Sequence, residues 1–455
     1  MELTPRRHEL LSVYLFGLAT LFLYVGYLSQ SFLSESVIHS IHERDHSQIS
    51  QFAGYYGAAF HYSAFAVVSL LTPSLQHYVT TKWILVISGS LFASFYVGFY
   101  SLNAYYFYFS QAVMGVAFAF YNNGEGAYLS EHSSRRTIES NTGIETAVGH
   151  FSMFCGGFAL LALFALFPPT TSSNFISFST DQIRYIYGTL FAFNLVAILV
   201  FSLLPTKQYD SIASKSIAPV PAIKDQFKLL INTIRAPNMM ILMPYFLYMG
   251  FAVSFLMSIY PTTLSFTAFF SDDVSIIAIY SISMGLAEAI GGLFIRPLVK
   301  KAKQYGMILT VGTNFLVYCV VITLVYLSVP HEAPIRPTNE PPLLLTPSRL
   351  LVFVIGFLIG LTDFCMTMAR AVICQVAVPE ARMQVFSLSK LYQSASSVIA
   401  LLLTPYMNVT VWVSVLSIFL IIGTVCYGVV ARQTQQNNQH TIQPSSERDL
   451  EIEKS

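Results

Sequence analysis

RLLVFVIGFLIGLTDFCMTMARAVICQ, residues 349–375, decides the fold class. About 20 apolar residues in a helix cross the ~30 Å hydrocarbon layer of a bilayer, and this stretch is long enough with one acidic residue in it. That residue, Asp363, lies about 14 residues in, or ~21 Å along a helix, near the middle of the layer. Similar apolar runs cover 10–28, 52–73, 83–101, 104–128, 143–168, 184–204, 239–260, 274–297, 305–329, 384–406 and 410–431, so the sequence predicts twelve spans. The composition agrees: of 455 residues 54% are hydrophobic and 10% charged, against roughly 25% charged in soluble domains, and mean hydropathy is +0.59. An ordinary soluble enzyme is excluded. The formal net charge of +1 removes the electrostatic case for a nucleic-acid partner, leaving the lipid bilayer as the first partner.

The expected organisation is a cytoplasmic N-terminus at 1–9, six spans over 10–204, a Lys-rich central loop at 205–238, six spans over 239–431 and a polar, disordered tail at 432–455. Lys and Arg gather on the side of the termini, and only Arg44, Arg184, Arg336 and Arg349 fall in loops on the other side. The positive-inside rule then places both termini in the cytoplasm. Plasma and endolysosomal membranes both fit. Pro73–Gly89 and Pro297–Gly312 occupy matching places after the second span of each half, a weak repeat of the kind transporter folds are built from. Trp83 and Trp412 each begin a span, where an indole suits the headgroup level. Tyr105, Tyr106 and Tyr108 read as interfacial anchors. The five cysteines all lie in apolar runs and read as small buried apolar residues.

No P-loop, nucleophile elbow or Rossmann fingerprint is present, and no cofactor is implied. His42-Glu43-Arg44-Asp45-His46 matches H-E-x-x-H, but it falls in a polar loop between the first two spans and is read as solvated, not as a zinc site. Ionisable residues inside spans carry more information, because a charge at mid-bilayer costs ~2.5–3.5 kcal/mol on insertion scales. Asp363 and Glu288 are at that depth, and two readings stay open: proton, cation or solute contact, or a structural hydrogen bond between helices. Glu125, Glu145 and His150 form a polar cluster across the turn between spans four and five, for which close helix packing by Gly124 and Gly126 is the plainer account. Arg370 and Lys390 are near enough to the cytoplasmic face to snorkel, and Gln393 joins Ser394 and Ser397 in a polar stripe.

Gly124–Gly157, GEGAYLSEHSSRRTIESNTGIETAVGHFSMFCGG, resembles the span-four to span-five signature of the Unc-ninety-three family of ion channel regulators, a branch of the major facilitator superfamily. The matching positions are Gly124, Gly126, Tyr128, Leu129, Asn141, Gly143, Ile144 and Ala147. Gly360-Leu361 with Asp363, Pro379-Glu380, Phe386–Ser394 (including Lys390 and Gln393) and Gly285-x-x-Glu288-x-x-Gly291-Gly292 are similar to further signatures of that family. The chain departs from the pattern at Glu125, where glutamine is usual, at Glu145-Thr146, where an aromatic pair is usual, and at Pro73–Lys82, which lacks the Gly/Asp/Arg gating signature of transporting facilitators. The resemblance implies an all-α polytopic fold with two six-helix bundles around a central cavity. It also implies a regulatory or trafficking partner of an ion channel or receptor, with secondary transport of a small solute, proton or cation by alternating access as the alternative. A catalytic role is not implied.

Overall fold

The computed structural model describes residues 4–72, 78–168, 175–209, 211–212, 223–302 and 305–452, without the side chains of 139, 150, 223–227, 300 and 437–452. In lipid every backbone N–H and C=O must find its partner within the protein, and the chain meets this with helices: α1 Pro5–Arg44, α2 Ala53–Ser69, α3 Thr81–Val97, α4 Ala104–Glu131, α5 Ile138–Leu166, α6 Thr180–Ser202 and α7 Ile223–Ile234. Then follow α8 Pro237–Phe266, α9 Ser275–Val299, α10 Gly306–Ser328, α11 Arg349–Val376, α12 Pro379–Tyr406 and α13 Val409–Ile452. Side chains close four of the helix starts, at Asn103 before α4, Ser179 before α6, Ser348 before α11 and Asn408 before α13, each accepting from backbone N–H groups of the first turn.

Helix packing in the first half recurs in the second. α1 packs on α5 and α6, α2 on α4, and α3 on α4 and α6; likewise α8 packs on α12 and α13, α9 on α11, and α10 on α11 and α13. The halves meet along two equivalent seams, α5 on α9 and α2 on α12. The first seam is built on glycine: a Cβ on Gly285 would land on the backbone nitrogen of Phe154, and one on Gly157 would come within 2.9 Å of the Ala278 carbonyl. The Ser281 hydroxyl donates across it to the Met153 carbonyl at 2.8 Å.

At the end away from the termini, α1 is buried at every residue over 32–41 and α8 at every residue over 259–266. Loops from each half lock onto the other. Ile176 N–H donates to the Ser265 carbonyl at 3.0 Å, and the Tyr55 hydroxyl to the Pro334 carbonyl at 2.9 Å. Within the second half, Thr338 N–H donates to the Phe266 carbonyl at 2.9 Å, and Arg349 clamps Asp273 through both carboxylate oxygens.

Several expectations change. Among the described residues ten helices are long and apolar enough by themselves to cross a membrane; α2, with 17 residues, and α4, which carries Asn122, Asn123 and Glu125, fall outside that set. The first helix does not end at Leu28 but runs to Arg44, because Phe32, Leu33, Val37, Ile38 and Ile41 continue a helical face that packs inward. The H-E-x-x-H string therefore caps a helix, with His39 buried between Phe175 and Phe266, and no group of His, Cys, Asp or Glu among the described residues could hold a metal. Trp412 is fully buried against Phe255 instead of facing headgroups, whereas Trp83 is exposed. The central loop carries helix α7. The backbone of α13 is helical to Ile452. Part of the repeat, 73–77, lies outside the described residues.

Gly285→Val should lower the thermal midpoint of the detergent-solubilised protein, since the backbone of α5 cannot yield to a side chain; overpacking of this kind costs about 1–3 kcal/mol. A melt equal to the wild type's would show that the seam is looser than described.

Candidate functional site

The two seams enclose a cavity of about 260 Å³ between the halves. From the first half, Thr20, Tyr24 and Tyr27 of α1, Tyr62 and Phe65 of α2, Phe118, Tyr121, Asn122 and Glu125 of α4, and Glu145 of α5 line it. From the second come Val253 and Met257 of α8, Asp363, Thr367 and Arg370 of α11, and Lys390 and Gln393 of α12. One wall is thus aromatic, and the polar floor carries carboxylates from both halves and cations from the second alone. An apolar pocket with a few convergent polar groups is the usual form of a small-molecule site.

Local hydrogen bonds hold the floor in place. The Arg370 guanidinium donates to Gln393 Oε1 at 2.5 Å, one α11 to α12 link. Lys390 Nζ reaches across the halves to Asn122 Oδ1 at 3.5 Å. The Thr20 and Tyr121 hydroxyls share a bond of 2.9 Å, and the Tyr27 hydroxyl meets His61 Nε2 at 3.2 Å. The floor residues sit about two turns inside the terminal end, since Glu125 precedes the end of α4 by six residues and Arg370 that of α11 by the same number. The opposite end is the sealed one.

The site residues expected from sequence divide in the structure. Asp363, Glu125, Lys390 and Gln393 line the cavity together, and Arg370 joins them there in place of snorkelling. Glu288 does not line it; it is buried on α9, one turn from Gly285 on the α5 seam. His150 lies on α5 with its side chain outside the described ones. Gly124 packs on Leu85 of α3, whereas Gly126 faces open space. Asn141 is buried and donates to Glu9 at 2.6 Å and Ser133 at 2.9 Å, bracing α5 against α1. Gly143 leaves room for the Arg296 guanidinium of the other half. Sequence reasoning missed Glu35 and His61, both buried, the latter against Tyr27 of the cavity wall; Glu35 had been assigned to a loop by ending the first span at Leu28. Another cavity, of about 210 Å³, lies at the terminal rim by Arg6, His8, His132 and Lys207. There burial, with His8 beside it, holds the His132 imidazole below its usual range, against the pull of its contact with the Tyr128 carbonyl.

Comparison with known proteins places this geometry. UNC93-like protein MFSD11 of Xenopus laevis is 25% identical over 443 residues, covering 93% of this chain and 96% of that protein. The Xenopus tropicalis protein of the same name is 25% identical over 458 residues, covering 96% and 100%. Among solved structures, the peptide transporter POT in complex with sulfate superposes with a TM-score of 0.64 at 11% identity, over 93% of this chain and 95% of that one. The nucleoside transporter NupG superposes with a TM-score of 0.60 at 14% identity, over 92% and 98%. At those identities the likeness shows the fold, an all-helical multi-pass membrane fold of the facilitator kind. The family described as "Ion channel regulatory protein UNC-93" matches residues 45–427, and the chain belongs to that family.

Proposed function

We propose that this protein is a secondary transporter moving a small polar solute by alternating access, with twelve spans in two six-helix bundles. Both termini are cytoplasmic and the cavity faces that side. The observation that carries the reading is the central cavity, charged from both halves and sealed at one end only by side-chain and loop contacts. A protein acting purely as a docking subunit has no need of charged groups buried at its own centre, where each is costly. The regulatory reading, a channel or receptor partner, rests on the family's description and on no feature of the cavity. In the transport reading Asp363 and the cations Arg370 and Lys390 contact the solute or its coupling ion, and Glu125 and Glu145 supply the acidic side. Glu288 has a packing role. The solved relatives named as peptide and nucleoside transporters supply the first probes.

Uptake of a labelled dipeptide, a nucleoside and an amino acid into proteoliposomes tests this. Saturable uptake of at least one is expected, and Asp363→Asn should abolish it while surface expression stays level. Uptake unaltered in that variant would remove Asp363 from the mechanism. No uptake together with stoichiometric co-purification of a channel or receptor would favour the regulatory reading.

Cavity access is read separately. In a background lacking native cysteines, Thr367→Cys should react with a charged thiol reagent added on the side of the termini and resist it from the other side. Equal reaction from both sides would contradict the sealed far end.

A further inference from the structure

Four aromatic side chains of the central cavity wall pack on one another. Tyr24 meets Tyr121 and Tyr27 edge-on, with ring centroids 5.3 Å and 6.0 Å apart, and Tyr27 stacks on Phe118 at 5.3 Å. The panel is fixed by its own contacts before any solute arrives, and it offers the cavity aromatic surface that suits an apolar body. Beyond it, between α1, α2, α4 and α8, lies a small void of about 20 Å³ that Tyr27 and Tyr62 also border. One water needs roughly 10–15 Å³, so this void has room for a water and not for part of a solute. The panel is therefore the far limit of the site. At about 260 Å³ the cavity lies below the ~300–1,000 Å³ of pockets that take drug-sized ligands, which points to a solute near the size of a single amino acid.

The charged groups beside this panel are arranged by sign. Asn122 and Glu125 share a face of α4, three residues apart, and the 3.5 Å contact of Lys390 Nζ with Asn122 Oδ1 brings the ammonium to that face. Glu125 and Asp363 lie within electrostatic reach of Lys390, and Asp363 within reach of Arg370. Glu145 is on the α1 side: a Cβ on Gly149 would lie 3.7 Å from its Oε1 and 3.1 Å from the Thr20 methyl. Both Glu125 and Glu145 reach Tyr24 and Tyr121 of the panel. Acid thus runs from α5 to Glu125 of α4 and there meets cation, first Lys390 and then Arg370, which is tied to Gln393 one turn along α12. Opposite charges this close suit a solute that carries an ammonium and a carboxylate on one carbon. A solute with one charge would displace water from the opposite pole without replacing its bonds. Glu125 and Glu145 are also positions at which the chain departs from the family pattern, so the acidic pole is this chain's own.

We propose that the central cavity binds a small zwitterion, an α-amino acid with an aromatic side chain. Its ammonium group meets Glu125 and Glu145, its carboxylate meets Lys390 and Arg370, and its ring lies against the panel of Tyr24, Tyr27, Phe118 and Tyr121. The Arg370 guanidinium has five N–H donors in a planar fork; one goes to Gln393, and the fork can take both oxygens of a carboxylate. Lys390 adds a point charge, and Asp363 balances one of the two cations. This names the substrate class of the transport reading, and its role in uptake rests on that reading; the recognition itself is a matter of binding.

Thermal stabilisation of the full-length protein in lipid nanodiscs tests this with four forms of one molecule. These are phenylalanine, its amide, which lacks the carboxylate, N-acetylphenylalanine, which lacks the ammonium, and N-acetylphenylalanine amide, which lacks both. Phenylalanine should half-saturate at the lowest concentration, with each single-charge form weaker by about 10- to 100-fold, the range for a hydrogen bond to a charged group. Lys390→Gln should weaken phenylalanine and N-acetylphenylalanine by a like factor and leave the amide unchanged. Glu125→Gln, which installs the residue usual in the family, should weaken phenylalanine and the amide and leave N-acetylphenylalanine unchanged. A variant that merely misfolds would lose every ligand alike, and Lys390→Arg, which keeps the charge, should retain phenylalanine. Equal half-saturation by phenylalanine and either single-charge form, losses that do not follow the missing group, or no stabilisation by phenylalanine overturns the proposal. Phenylalanine bound but not taken up into proteoliposomes would keep the site and remove the transport reading, whereas uptake of a nucleoside without phenylalanine binding would do the reverse.

Discussion

Everything in this structure answers to the cost of holding charge inside a bilayer. Glu125, Glu145, Asp363, Arg370 and Lys390 lie well within the helices, and none could face lipid there without a penalty of a few kcal/mol. They are tolerated because the halves turn the same faces toward each other and share one polar space. The cations come only from α11 and α12 and the aromatic wall almost wholly from α1, α2 and α4, so neither half forms the site alone. The glycine contacts at the α5 and α9 seam set how near the walls approach.

A repeat in packing does not make the halves alike in use. α1 and α8 occupy equivalent places and both bury their far-end segments completely, yet only α1 brings a carboxyl into that segment. The polar groups of the small void come from the first half, apart from Ser258, and the cations of the floor come from the second. Separation of this kind keeps the uncharged polar groups of the small void apart from the cations of the cavity floor, with Tyr27 and Tyr62 bordering both spaces.

The sequence made the fold class legible because span length and hydropathy are local properties. It made Asp363 legible because one acid in a long apolar run is conspicuous, and its neighbours Lys390 and Gln393 were marked by the family signature. It could not show that Arg370 turns inward, since depth along a helix says nothing of rotation about it, nor that Glu288 at a similar depth faces the seam. The error at α1 has a different cause. Ser29, Gln30, Ser31, Ser34, Glu35 and Ser36 read as a polar loop by composition, whereas the spacing of Phe32, Leu33, Val37 and Ile41 is that of a helix with one inward apolar face. Hydropathy averages suppress a span whose polar residues are buried against other helices, and α4 is left out of the apolar set for the same reason.

Sealing also has a mechanical side. A straight helix with its ladder intact resists bending, and opening the far end requires α1 and α8 to part over segments that are buried throughout. α1 has no proline after its first turn. α8 contains Pro244 and Pro261 and shifts to a π-helical turn over Phe255–Ile259, the kind of interruption at which helices bend and functional sites collect. Met257 and Ser258 of that turn border the small void, and Met257 also borders the central cavity. α9 repeats the device at Gly291–Ile295, just past the seam. The second half therefore holds the interrupted helices and the first half the continuous one, and in the transport reading we propose, the π-helical turn of α8 is the place for a bend against an unbroken α1.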